Sequence, residues 1–207
     1  MQIISNFAVF EGGDGSGTTT QLSLLSERLK NIPNIKLFTT FEPTEGPIGR
    51  LIRSALKKEI SVEPQTLAML FAADRNEHLF AGEGIIERAK QGELVVCDRY
   101  ALSSLVYQGI ECGDELPKSL NCRFPAPEVL IFFDIDPQIA LERVKKRSSC
   151  EIFEYLDFQI KVREKYKSLL DIYRDAGTRV ETIDASQSPQ EVAEQVWSII
   201  SQMPKIK

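Results

Sequence analysis

Phe7–Gln21, FAVFEGGDGSGTTTQ, runs from an apolar stretch of strand length through a glycine-rich turn into a segment of helical period. Asn6–Glu11 reads as the first strand. Thr18–Lys30 reads as a helix, with Leu22, Leu25 and Leu29 on one face. The turn between them follows the strand–G-x-x-x-x-G-K-[ST]–helix pattern of a phosphate-binding loop. Gly12 and Gly17 hold the two glycine positions, and Thr19 supplies the hydroxyl that would ligate Mg²⁺. Glycines let such a loop curl so that its N–H groups converge on phosphate oxygens, and the following helix adds its positive end. Gly12, Gly13, Gly15, Ser16, Gly17, Thr18, Thr19 and Thr20 are the candidate contacts to the phosphates of a nucleotide. Position 18, where the pattern has lysine, is threonine. A hydroxyl donates one neutral hydrogen bond and cannot neutralise charge. A charge-assisted bond is worth about 1.5–3 kcal/mol, so its loss alone weakens binding by roughly 10–150-fold.

Outward from this loop the same alternation continues. Ile35–Phe41, Leu94–Asp98, Val129–Asp136 and Arg179–Asp184 read as further strands. Between them lie helical patterns at Pro47–Lys58, at Pro64–Gln91 with a break near Gly82 and Gly84, and at Phe153–Ala176. Asp136 and Pro137 start one more helix, and Ser188 with Pro189 starts the last. Strands separated by helices imply parallel pairing. The expected fold is therefore α/β of the P-loop NTPase type: a five-stranded parallel sheet with helices on both faces, in three layers, with residues 1–207 forming one domain. Ligands of such sheets sit at the carboxyl ends of the strands. Three polar clusters fall there: Glu11–Thr20, Glu42–Gly49 and Asp98–Arg99.

Composition narrows the ligand. With 25 Lys and Arg against 30 Asp and Glu, the net charge is −5. That argues against a general binder of nucleic acid or anionic membrane, which presents a basic face. The N-terminus lacks the basic start of a signal peptide, and no apolar run approaches the roughly 20 residues of a membrane span. Cys97, Cys112, Cys122 and Cys150 are not paired at metal-binding spacing. They read as the free thiols of a cytoplasmic protein.

Taken together, these segments resemble thymidylate kinase. The resemblance rests on Phe7–Gln21, on Glu42-Pro43 with Pro47-Ile48-Gly49, on Leu70–His78 (LFAADRNEH), on Asp98–Gln108 (DRYALSSLVYQ) and on Asp134–Arg147 (DIDPQIALERVKKR). All five occur in the family's order. The resemblance implies transfer of the γ-phosphoryl group of ATP to dTMP with Mg²⁺, a homodimer, and a short lid at about 148–153. It implies that Asp14 helps place the metal or the acceptor. Arg99 would hold the acceptor phosphate, with Asp98 orienting it or reaching the metal through water. Phe71 would stack on the pyrimidine and Arg75 would bond a base carbonyl. Ser103, Ser104 and Gln108 would line the base's polar edge, with Tyr107 against the sugar and Glu42 in the same site. His78, the only histidine, reads as a hydrogen-bonding helix residue, since an anionic acceptor needs no base.

The sequence departs from the family at its cations. The loop lysine is Thr18, the arginine before Glu-Pro is Phe41, and Gly15 and Ile152 stand where the loop or the lid would carry an arginine. Arg147, with Lys146 and Arg143, is the candidate replacement at the lid hinge. Two other readings share these residues. One is a nucleotide-binding homologue with impaired catalysis. The other is a kinase for another pyrimidine deoxynucleotide such as dUMP.

Overall fold

The first strand, β1 (Ile3–Gly12), is buried on both sides. Phe7 and Val9 enter one core while Ala8 and Phe10 enter another, as the two-residue period of a strand requires. A strand apolar on both faces must be covered on both. β3 (Leu94–Asp98) repeats the pattern: Val95 and Cys97 face one way, Leu94 and Val96 the other. In β4 (Ala126–Asp134), Val129, Ile131 and Phe133 oppose Leu130 and Phe132. The computed structural model that displays this arrangement describes residues 2–30, 32–145 and 152–206.

With β2 (Leu37–Phe41) and β5 (Arg179–Asp184), the sheet runs β2-β3-β1-β4-β5, every pair parallel. This is the P-loop NTPase-like α/β fold read from the sequence. One face packs on α1 (Thr18–Leu29) and α9 (Pro189–Ile200), through Leu22, Leu25, Leu29, Val192, Val196 and Ile200. The other face packs on α3 (Pro64–Phe80), α4 (Ile85–Lys90), α5 (Ala101–Cys112) and α8 (Ile152–Asp175). α2 (Pro47–Leu56) packs against α3. α7 (Pro137–Lys145) is capped by Asp136, whose side chain accepts from the Gln138 N–H at 2.8 Å. Ser188 and Glu191 form a reciprocal capping box on α9.

The differences from the sequence reading are local. β1 and β4 each begin three residues earlier than read, because their first residues also pair: Ile3 with Ala126 and Ile4 with Pro127. The pattern over Pro64–Gln91 splits into α3 and α4 at the Gly82–Gly84 turn. A short helix not read from sequence, α6 (Glu115–Asn121), follows α5. Among the described residues, no helix is long and apolar enough to cross a membrane.

The chain switches sides of β1 after β3, so the turns leaving β1 and β3 emerge side by side. Phe10 and Asp98 are register partners, and the Arg99 N–H donates to the Phe10 carbonyl at 2.8 Å. Phe133 packs on Phe10 with ring centroids 5.2 Å apart and is fully buried. Phe133→Ala is expected to cost about 3–5 kcal/mol in chemical denaturation. A loss below about 1 kcal/mol would show that the core beneath the two turns collapses into the gap.

Candidate functional site

The glycine turn is built as its composition demands. Gly17 lies at φ 91°, a left-handed conformation that glycine adopts freely, and it starts α1 with no side-chain cap. The first turn of α1 also carries no acid. Its N–H groups are thus left for an external acceptor. Gly15 lies at φ 83°, and a Cβ there would meet the Ala140 carbonyl oxygen at 2.5 Å. The backbone of α7 therefore fills the space that an arginine at 15 would need.

Around this turn is a cleft of about 530 Å³, lined by residues 13–21, Asp98, Arg99, Arg143 and the β5–α9 connection at Ala185, Gln187 and Pro189. All the candidate loop residues from Gly13 to Thr20 line it, while Gly12 is buried behind it. Thr18 is buried, whereas Thr19 and Thr20 are exposed. The Thr19 hydroxyl donates to Asp98 Oδ2 at 2.6 Å, and Asp98 Oδ1 is buried without a hydrogen-bond partner.

A second cleft of about 250 Å³ adjoins the first and is lined by Asp14, Glu42, Phe71, Arg75, Arg99, Ser103, Ser104, Tyr107 and Gln108, with Pro43, Leu56, Tyr100 and Glu111. Every residue expected on the acceptor side except Asp98 lies here. Asp98 belongs to the loop cleft instead, because its side chain leaves β3 toward α1. Nor does it hold Arg99. That guanidinium pairs with Asp14, Nη2 to Oδ1 at 2.7 Å, and lies over the Tyr107 ring at 5.1 Å. Arg99 takes φ 68°, which turns it off the line of β3 toward the loop. Among the described residues, Arg99 and Asp14 are the two that line both clefts.

Asp14 is a hub. Besides Arg99 it accepts from Tyr155 Oη at 3.1 Å and Gln159 Nε2 at 3.2 Å, both on α8, and more distantly from Tyr107 Oη at 3.4 Å. The α8 partners were absent from the sequence reading. Their signal was the spacing Tyr155, Gln159, Tyr166, which places polar groups on one face of a long helix.

At the floor of the smaller cleft, Arg75 and Glu42 form a buried ion pair at 2.6 Å, with side chains 1% and 3% exposed. Arg75 also donates to Ser104 Oγ at 3.1 Å and to Asn121 Oδ1. Asn121, on the helix that was not foreseen, donates in turn to the Pro117 carbonyl at 2.8 Å. His78 bridges Glu42 (3.1 Å) and Thr40 (2.7 Å), the structural role read for it. Asp74, buried on α3, accepts from the Thr44 N–H and hydroxyl at 2.7 and 2.6 Å and so fixes the loop after β2. Phe41 is partly exposed beneath the Arg53 guanidinium, which donates to the Pro43 and Thr44 carbonyls. Ser103 lines the cleft, but its hydroxyl engages Glu11 and Tyr166.

The proposed replacement cations fare differently. Arg143 is held by the carbonyls of Gly15 (3.5 Å), Ala185 (2.9 Å) and Ser186 (3.2 Å), so it lines the loop cleft as an anchored group. Lys146, Arg147 and the lid expected at about 148–153 fall outside the described residues, apart from residues 152 and 153 at the start of α8. Cys97, Cys112 and Cys122 are free thiols, and Cys150 lies outside the described residues.

The thymidylate kinase family model matches residues 10–196. The chain belongs to the thymidylate kinase family. A protein from Treponema pallidum that carries the name thymidylate kinase is 39% identical over 210 residues, covering 100% of both chains. One from Pyrobaculum aerophilum is 41% identical over 202 residues, covering 97% of this chain and 99% of its own. One from Methanocaldococcus jannaschii is 42% identical over 168 residues, covering 81% and 82%. Membership makes this chain a kinase-type phosphotransferase of a family that acts on dTMP.

The carboxyl of Glu11, fully buried beneath both turns, has its pKa pushed up by burial to about 7, against the opposing pull of Ser103, Arg99 and Tyr166. In the unfolded chain it ionises near 4.5. Between these values the folded protein keeps a proton that the unfolded chain has released. The stability contributed by this group is thus complete below about 4.5 and is lost as pH rises through about 7. Glu11→Gln removes the dependence. The melting temperature of the variant is expected to gain on that of the parent from about pH 5 to about pH 8. A constant difference across that range would show that Glu11 does not titrate there.

Proposed function

We propose that the protein transfers the γ-phosphoryl group of ATP to dTMP, giving ADP and dTDP. The observation that carries this reading is the Arg99–Asp14 pair at the junction of the two clefts. In-line transfer needs donor and acceptor phosphates to meet at one point, and little else is required beyond positioning and charge stabilisation. A guanidinium that reaches both clefts can hold the acceptor phosphate by paired donors while facing the transferred group. Asp14 anchors Arg99, and Tyr107 lies beneath it. No proton-abstracting base is needed, because a monophosphate with its second pKa near 6 is already largely a dianion at pH 7.

The donor's phosphates would lie along Gly12–Thr20, on the loop amides and the N-terminus of α1, with its base toward Arg143 and the β5–α9 connection. The residues fit a Mg²⁺ ion carried by the nucleotide. The Thr19 hydroxyl and Asp98 stand 2.6 Å apart in the loop cleft, and the second Asp98 oxygen is buried and unpartnered. Thr19 would ligate the ion and Asp98 would hold it directly or through water. Such an ion neutralises charge along the phosphates.

On the acceptor side, the smaller volume of the second cleft suits a one-ring base. Phe71 supplies an apolar ring for stacking, worth roughly 1–3 kcal/mol in other base-binding sites. Ser104 and Gln108, both buried, give the base edge its hydrogen-bonding partners. Arg75 has both terminal nitrogens committed, Nη1 to Asn121 and Nη2 to Ser104 and Glu42, so it acts on the base from a fixed position. Two copies of the chain working as a cytoplasmic homodimer complete the proposal, on the family resemblance alone.

The test is diphosphate formation from Mg-ATP with dTMP, dUMP, dCMP and AMP. dTMP is expected to be the preferred acceptor. Turnover of dUMP alone would assign another pyrimidine kinase. No product from any acceptor, with dTMP still raising the melting temperature, would leave a binding protein. Arg99→Ala is expected to lower kcat by about 10³-fold or more with little change in melting temperature. Thr18→Lys is expected to tighten Mg-ATP binding about tenfold. No gain from that change would show that another cation already acts where the lysine would.

A further inference from the structure

Glu11 stands one residue before the glycine turn, 0% exposed, at the carboxyl end of the central strand. It takes no part in the chemistry proposed above, yet when ionised it accepts four hydrogen bonds, three of them from the neighbouring turn, which fills the acceptor sites of a carboxylate. Oε1 accepts from the Tyr100 N–H at 2.9 Å and the Ser103 N–H at 3.3 Å. Oε2 accepts from Ser103 Oγ at 2.6 Å and Tyr166 Oη at 3.1 Å. Two of the donors are backbone amides that flank the start of α5, where Tyr100 offers no side-chain cap. The second hydroxyl donor, Tyr166, comes from α8, the helix that also sends Tyr155 and Gln159 to Asp14.

The residue between these contacts and β3 is Arg99, whose φ of 68° is unfavourable for a side chain with a Cβ. Such a conformation persists only when its surroundings over-determine it. Here the Arg99 N–H is tied to Phe10 and the next amide is tied to Glu11, adjacent residues of β1. We propose that Glu11 is the positioning residue for Arg99: by gripping the turn at Tyr100 and Ser103 it sets the direction of the guanidinium toward the acceptor phosphate. It acts through Arg99 and touches neither nucleotide. The inference rests on the acceptor reading for its consequence in binding, and on geometry alone for its consequence in the free protein.

Two variants separate grip from bulk. In Glu11→Gln the side-chain carbonyl still accepts from both amides, while its amide nitrogen donates to the Ser103 and Tyr166 hydroxyls, which can turn to accept. Glu11→Ala removes all four contacts. In the ligand-free protein, hydrogen exchange at the Tyr100 and Ser103 amides is expected to quicken at least tenfold in Glu11→Ala, with β4 and α9 unchanged, and to stay within about threefold in Glu11→Gln. Unchanged exchange at those amides in Glu11→Ala would overturn the proposal, and equal quickening throughout the chain would reduce Glu11 to a general core residue. Calorimetric dTMP binding completes a double-mutant cycle with Arg99→Ala. Glu11→Ala is expected to weaken binding about tenfold in the parent and less than about twofold when Arg99 is absent. Equal losses in both backgrounds would mean that Glu11 does not act through Arg99. Failure of the parent to bind dTMP would sink the acceptor reading instead, and the exchange result would still judge Glu11.

Discussion

Everything in this site depends on β1 and β3 being hydrogen-bonded neighbours in register. Pairing of Phe10 with Asp98 brings the turn after each strand out at the same level of the sheet edge. One turn carries an array of glycine amides and Asp14; the other carries Arg99. Their charges meet at 2.7 Å without any long side chain having to search for its partner. The strand order places this meeting where the chain reverses direction across the sheet, which is where parallel α/β proteins hold their ligands.

From that junction the rest of the site spreads as a set of buried polar contacts. Glu42, Arg75, His78 and Thr40 link the turn after β2 to α3, and Asn121 and Ser104 extend the chain to α6 and α5. Ionic groups at 1% and 3% exposure are costly to bury unless satisfied on several sides. Arg75 is held from three elements, by Glu42, Ser104 and Asn121, and Glu42 is held by Arg75 and His78, both on α3. The result is a floor for the smaller cleft built from paired charges and their hydrogen-bond partners.

The fold was legible because β1, β3 and β4 are apolar on both sides and are separated by helical periods, which leaves few arrangements open. α6 was not, since ELPKSLN contains a proline and too few apolar residues to display a period. The members of the site could be named from the turn motifs and the resemblance, but not their pairings. Asp98 and Arg99 are adjacent, and the resemblance implied a joint role for them. The left-handed backbone at Arg99 sends it to Asp14 and leaves Asp98 to Thr19. No local pattern announces such a conformation in an arginine. The contributions of Tyr155, Gln159 and Tyr166 were hidden for another reason: helical spacing shows that they share a face, not which loop that face meets.

The close approach of α7 to the glycine turn has a consequence for descent. With the Ala140 carbonyl 2.5 Å from where a first side-chain carbon at position 15 would stand, that position is closed to point mutation unless a whole helix shifts. Mutation at this codon alone therefore cannot supply the positive charge that Thr18 lacks.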